Sequence, residues 1–175
     1  SLSLFNAMLL GWLGLTVLLN AERRTWSIWI TSAGLMLGGA FFVSHTAILG
    51  QGIDYVSRGM TFWWLVGWIP VILLPLSWYL VMLWYAGYWD DPGTALRRRQ
   101  RPWLYLIGIL TVAVMALLAF ANPLPTYAEV AALRLAPGPT IAGFPLLFLA
   151  YPLHILLCIG QSLDALRRPG PTSRL

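Results

Sequence analysis

Five uninterrupted apolar runs, at residues 2–19, 26–49, 62–88, 102–121 and 141–163, limit what this chain can fold into more than anything else in it. Crossing a hydrocarbon core of about 30 Å takes about 20 helical residues. In lipid the backbone must satisfy its own hydrogen bonds, so only helices and closed barrels span. None of the runs alternates apolar and polar residues as a barrel strand does. The sequence therefore predicts an all-α, polytopic integral membrane bundle of five transmembrane helices, forming one domain over residues 1–175. A water-soluble fold is excluded on independent grounds. With 59% hydrophobic residues, 10% charged residues and a mean hydropathy of +0.73, the chain has too little polar surface to coat itself.

The first run lacks a basic segment ahead of it and a small-x-small cleavage site before Asn20, so it reads as a span and not a secretory signal. Pro70 and Pro75 fall inside the third run, where each removes a backbone donor and predicts a kink. Between the fourth and fifth runs, Thr126-x-x-Glu129 is a capping-box pattern that predicts a short surface helix over about 127–136.

All eleven basic residues are arginine, and they are clustered between the apolar runs. Short loops rich in arginine stay in the cytoplasm. Arg23, Arg24, Arg97, Arg98, Arg99, Arg101, Arg167, Arg168 and Arg174 fall on one side, against Arg58 and Arg134 on the other. The expected topology is N-terminus out and C-terminus in. Trp26, Trp29, Trp84, Tyr85, Tyr88, Trp89 and Trp103 flank the basic loops, and Trp63 and Trp64 mark the opposite interface. The run Arg97, Arg98, Arg99, Arg101 reads as a topology signal and an anionic-lipid contact, not as a nucleic-acid patch.

Candidate chemistry is sparse. In the second run Gly34 and Gly38 form a small-xxx-small pair suited to close helix packing. His45 lies eleven residues after Gly34, close to three helical turns, so it is expected on the same face and pointing into the bundle. It is a candidate pH sensor or metal or haem ligand, with helix packing as the leading reading. Tyr151, His154, Cys158 and Gln161 recur at spacings of three, four and three in the fifth run, so one helical stripe carries them toward protein or a water-filled cavity. This stripe is either a ligand-binding or a helix-packing element, and packing leads. The lone Cys158 permits no intrachain disulfide.

A b-type haem between His45 and His154 is similar in layout to the cytochrome subunit of respiratory nitrate reductases. However, His45 lies roughly 6 Å from the outer end of its helix and His154 roughly 20 Å from that of its own, whereas two axial ligands need equal depth. No cofactor, metal or catalytic constellation is expected, because the sequence holds no phosphate loop, metal-ligand cluster or acid pair placed for general acid–base work.

The hairpin Asn20-Ala21-Glu22-Arg23-Arg24-Thr25-Trp26, the stretch Phe41-Phe42-Val43-Ser44-His45-Thr46-Ala47-Ile48-Leu49-Gly50 and the loop Arg97-Arg98-Arg99-Gln100-Arg101-Pro102-Trp103 resemble the N-terminal seven-helix sensor region of bacterial histidine kinases and related signalling proteins. Five spans are present here. The resemblance implies a membrane input module without its catalytic output domain, either the ordered part of a longer protein or a shortened relative. An accessory subunit of a respiratory or photosynthetic complex is the alternative, and a haem-bearing, quinol-handling anchor comes third. The expected setting is the bacterial cytoplasmic membrane, with the bilayer and other membrane subunits or further copies of the chain as partners.

Overall fold

The computed structural model describes residues 2–22, 25–50, 58–120, 132, 140–141 and 144–174. Five helices account for most of them: α1 (Leu2–Leu19), α2 (Trp26–Gly50), α3 (Arg58–Tyr85), α4 (Ala95–Phe120) and α5 (Leu146–Arg167). A minimal antiparallel hairpin, β1 (Thr140–Ile141) with β2 (Phe144–Pro145), leads into α5 and pairs Thr140 with Pro145 and Ile141 with Phe144. All five helices are long and apolar enough to cross a membrane, so the chain is a helical, multi-pass membrane protein. The expected surface helix over 127–136, save residue 132, and Arg23, Arg24 and Arg134 fall outside the described residues.

Several helix ends differ from the sequence expectation, and four of them have a local reason. The third helix stops at Tyr85 and not at Tyr88 because Gly87 adopts a left-handed conformation (φ +82°). The Gly87 N–H donates to the Trp84 carbonyl (3.1 Å) and the Tyr88 N–H to the Leu83 carbonyl (3.0 Å), which closes the helix in a Schellman motif. The fourth helix begins at Ala95 and takes in the arginine run, because Thr94 caps it: the Thr94 hydroxyl accepts the Arg97 N–H at 3.2 Å. The last helix starts after the hairpin and runs on to Arg167, and its polar final turns are held by neighbours described below. Helix α3 continues through both Pro70 and Pro75.

Helices α1 and α2 form an antiparallel pair joined along small residues. Ala7 and Gly14, seven residues apart, face Gly39 and Ser32, also seven apart: a Cβ on Gly39 would lie 3.3 Å from the Ala7 carbonyl oxygen, and one on Gly14 3.1 Å from that of Ser32. The Ser32 hydroxyl donates to the Gly14 carbonyl at 2.7 Å, a cross-helix bond in a medium that offers no other partner. A spacing of seven keeps one seam facing its partner over two turns. Helix α2 then packs on α3 through Ser44 against Gly67.

Helices α3, α4 and α5 form the best-buried part of the bundle, with Tyr79, Leu83, Ala86, Tyr88, Leu96, Ile107, Cys158 and Ala165 in one apolar cluster. The buried positions of α4 (Leu96, Gln100, Ile107, Thr111, Val114) fall at helical spacing, which fixes its inward face. Leu2, Phe5, Met8 and Trp12 on α1 and Tyr105, Ile109 and Val112 on α4 are exposed, as side chains facing lipid are.

Candidate functional site

A column of polar side chains runs through the interface of α3, α4 and α5. Its upper part depends on Pro75. A proline lacks the N–H that would bond the carbonyl four residues back and its ring crowds that same carbonyl, so Pro75 leaves Val71 without its helical donor. Helix α5 supplies a replacement there and a second contact beside it. The Tyr151 hydroxyl reaches the Val71 carbonyl at 3.5 Å, and His154 Nε2 lies 3.1 Å from that of Ile72. A carbonyl only accepts, so Nε2 carries the proton and Nδ1 of the neutral ring is left as an acceptor. The Cys158 thiol sits one turn on, 3.9 Å from Nδ1. His154 and Cys158 are both fully buried, and the Ser162 hydroxyl donates to the Cys158 carbonyl at 2.7 Å.

The lower part centres on Gln100, which is fully buried. Its Oε1 accepts the Tyr79 hydroxyl at 2.8 Å, while its Nε2 donates to Asp164 Oδ2 at 2.6 Å and lies 3.4 Å from the Gln161 carbonyl oxygen. Arg99 completes the junction, with Nε 2.7 Å from Asp164 Oδ2 and an NH2 group donating to the Arg168 carbonyl at 3.1 Å. Three helices therefore meet at a tyrosine, an amide, a carboxylate and a guanidinium. Tyr79, Gln100 and Asp164 are joined only in the folded bundle. The sequence reading did not select Tyr79, Gln100 or Arg99 as site residues; the signal for Gln100 was its place on the inward face of α4.

Of the residues singled out from sequence, His154 and Cys158 face α3, Tyr151 is half-buried beside them, and Gln161 contributes its backbone to the junction. His45 is placed differently from the expectation. It lies at the surface, 3.1 Å from the Ser3 hydroxyl of α1 and stacked beside Phe41. The buried positions of α2 are Ser27, Ser32, Gly39 and Ser44, and His45 stands one residue, about 100°, beyond Ser44. Gly38 does sit at a helix contact, where a Cβ would lie 3.2 Å from Leu10 Cδ1 of α1, whereas one on Gly34 would have ordinary contact with Ser77 Cβ at 3.5 Å. Both glycines line an apolar cleft of about 440 Å³ between α1, α2 and α3, together with Leu10, Phe41, Leu74 and Trp78. Among the described residues, no three of His, Cys, Asp and Glu come together to hold a metal ion.

Beneath the junction the segment after α5 folds back onto the turn between α3 and α4. The Gly170 N–H donates to Ala86 O and the Arg174 N–H to Tyr85 O, each at 2.8 Å. The Arg174 guanidinium lies over the Trp84 ring (4.5 Å) and bonds the Trp84 carbonyl and Asp90 Oδ1, both at 2.9 Å. A Cβ on Gly87 would stand 2.7 Å from the Thr172 hydroxyl, so glycine is needed there for fit as well as for φ.

The hydrogen bond from Arg174 holds the Asp90 carboxyl below the ordinary aspartate range. A lowered pKa in the folded state means that the clamp contributes stability above the unfolded pKa and loses it as pH falls through the folded value. The tail is accordingly expected to loosen below roughly pH 4, read as a change in Trp84 fluorescence. Asp90→Asn should abolish that pH dependence, and an unchanged transition in this variant would refute the assignment.

No family model and no solved structure matches the chain. Among curated proteins, the "Probable peptidoglycan glycosyltransferase FtsW" of Thioalkalivibrio sulfidiphilus is 32% identical over 107 residues, which cover 59% of this chain and 26% of that protein. The chain thus spans about a quarter of the length of the relative it matches. This finding overturns the functional reading of the sequence: the similarity runs to a cell-wall glycosyltransferase, not to a signalling input module, a respiratory or photosynthetic subunit or a haem-bearing anchor.

Proposed function

We propose that this chain is a helical portion of a multi-pass bacterial inner-membrane protein that works in peptidoglycan synthesis. The similarity to FtsW carries the reading. The bundle supports the inner-membrane part of the reading by holding an arginine-rich face at one end. Arg97, Arg98, Arg99, Arg101, Arg167, Arg168 and Arg174 gather where the α3–α4 turn meets the tail after α5, and this end is proposed to face the cytoplasm.

The described residues point to scaffolding at this site. Glycosyl transfer needs a carboxylate or similar base free to take a proton from the acceptor hydroxyl. At this end of the bundle Asp164 and Asp90 are each engaged by an arginine, and Asp91 accepts the Gly93 N–H at 2.8 Å. The role proposed for Tyr79, Gln100, Arg99 and Asp164 is therefore to fix three spans relative to one another.

Depletion of the native protein is expected to lower incorporation of a labelled amino sugar into the cell wall. Restoration by the wild-type gene should recover it, and the Gln100→Leu variant should recover it only in part. Unchanged incorporation on depletion would sink the proposal.

A further inference from the structure

We propose that the lipid-facing side of the first turns of α4 is a binding site for one anionic phospholipid, with its phosphate held between Arg97 and Arg101 and an acyl chain lying over Gly108. Two pairs of the described cations at this end differ in what holds them. Arg99 and Arg174 are paired with Asp164 and Asp90. Arg97 and Arg101 have no carboxylate within ion-pair distance among the described residues and rest on aromatic rings instead, Arg97 5.7 Å from the centre of Tyr88 and Arg101 5.8 Å from that of Tyr105. An aromatic ring steadies a guanidinium without consuming its charge, and the in-plane N–H groups stay available to phosphate oxygens.

The stripe continues into the membrane. Arg97, Arg101, Tyr105, Gly108 and Val112 follow at steps of four, four, three and four, so they share one face of α4. Tyr105 and Val112 are 60% and 68% exposed. A side chain on Gly108 would meet nothing within 4 Å, so the helix carries a notch there between two protruding neighbours. Gly108 lies roughly 10 Å further along the axis than Arg101, on the order of the distance from a lipid phosphate to its upper acyl carbons. The arginine pair is thus matched to a headgroup and the notch to a chain, in the order in which a bilayer presents them. Charge complementarity selects the anionic class, because a zwitterionic headgroup returns its own cation to the site.

The test uses the full native chain, delipidated in mild detergent and offered equal amounts of phosphatidylglycerol and phosphatidylcholine, with bound lipid counted by native mass spectrometry. A preference for phosphatidylglycerol of roughly thirtyfold is expected, equivalent to about 2 kcal/mol from two interfacial arginines. The double variant Arg97→Gln/Arg101→Gln should reduce it to a few-fold. The charge-matched control Arg98→Gln/Arg167→Gln, off the stripe, should keep it. Gly108→Leu should weaken retention of phosphatidylglycerol several-fold while leaving the headgroup preference intact. Equal loss in both double variants would show diffuse charge in place of a site and overturn the proposal. So would an absence of preference in the wild type, or a dimer that occupies the face and dissociates on Gly108→Leu.

Discussion

Gln100→Leu is expected to lower the unfolding free energy of the detergent-solubilised protein by about 2 kcal/mol, and Gln100→Glu by more at neutral pH. The amide is fully buried and joins two helices that do not otherwise share a polar bond at this level: it accepts from Tyr79 on α3 and donates to Asp164 on α5. Leucine removes both interactions. Asp164 keeps Arg99, so its loss is partial. Tyr79, however, is buried and its hydroxyl has no other acceptor among the described residues, and an orphaned buried donor costs roughly 1–3 kcal/mol. Cross-helix hydrogen bonds in membrane proteins average nearer 0.6 kcal/mol. The larger value applies here because the Tyr79 hydroxyl is left fully buried inside protein. Glutamate behaves differently from leucine. It would set a second carboxylate where the amide nitrogen lies 2.6 Å from Asp164 Oδ2, so one of the two acids must take up a proton. The glutamate variant should therefore regain stability as pH falls, while the leucine variant should not. Tyr79→Phe combined with Gln100→Leu should cost less than the sum of the single changes. Additive effects, or a pH-independent glutamate variant, would show that the junction is not a coupled unit.

The spans were legible because burial in lipid demands long apolar runs with few charges, and nothing else in a sequence produces them. The junction was not, because of where its members sit. Gln100 is embedded in Arg97-Arg98-Arg99-Gln100-Arg101, and a run of that charge reads as a loop and a topology signal. Thr94 instead caps a helix ahead of it, which turns the run into the first turns of α4 and directs Gln100 inward while Arg98 and Arg101 face out. The polar stripe of α5 was visible as spacing, yet its partners were not. They are backbone carbonyls of α3 in the turn before Pro75, and no pattern of side chains records which helix will lie beside a proline. His45 shows the converse. Its eleven-residue spacing from Gly34 does place both on one side of α2, but that side borders the clefts at the surface of the pair, and the buried seam is one residue away at Ser44.

The small-residue seam between α1 and α2 gives the second large expected effect. Gly14→Leu should separate α1 from α2, while Gly11→Leu, one turn earlier on the same helix, should be nearly silent. The contrast follows from what a side chain would meet. At Gly14 a single Cβ already lies 3.1 Å from the Ser32 carbonyl oxygen, 3.2 Å from Met36 Cγ and 3.4 Å from Leu35 Cβ; at Gly11 it meets nothing within 4 Å. Leucine at position 14 also displaces the carbonyl that accepts the Ser32 hydroxyl, so overpacking and loss of a cross-helix bond act together. The combined cost is about 3 kcal/mol. Helix α1 packs chiefly against α2, so this energy falls mainly on one interface and the α3–α4–α5 core is spared. Local separation with the rest of the bundle intact is the expected outcome. Cysteines placed by Ser3→Cys and His45→Cys in a Cys158→Ser background report on it, since the native side chains at these positions meet at 3.1 Å. Oxidative cross-linking should be efficient in the parent and in Gly11→Leu, and largely lost in Gly14→Leu. Equal cross-linking in both leucine variants would mean that the small-residue seam does not hold the pair.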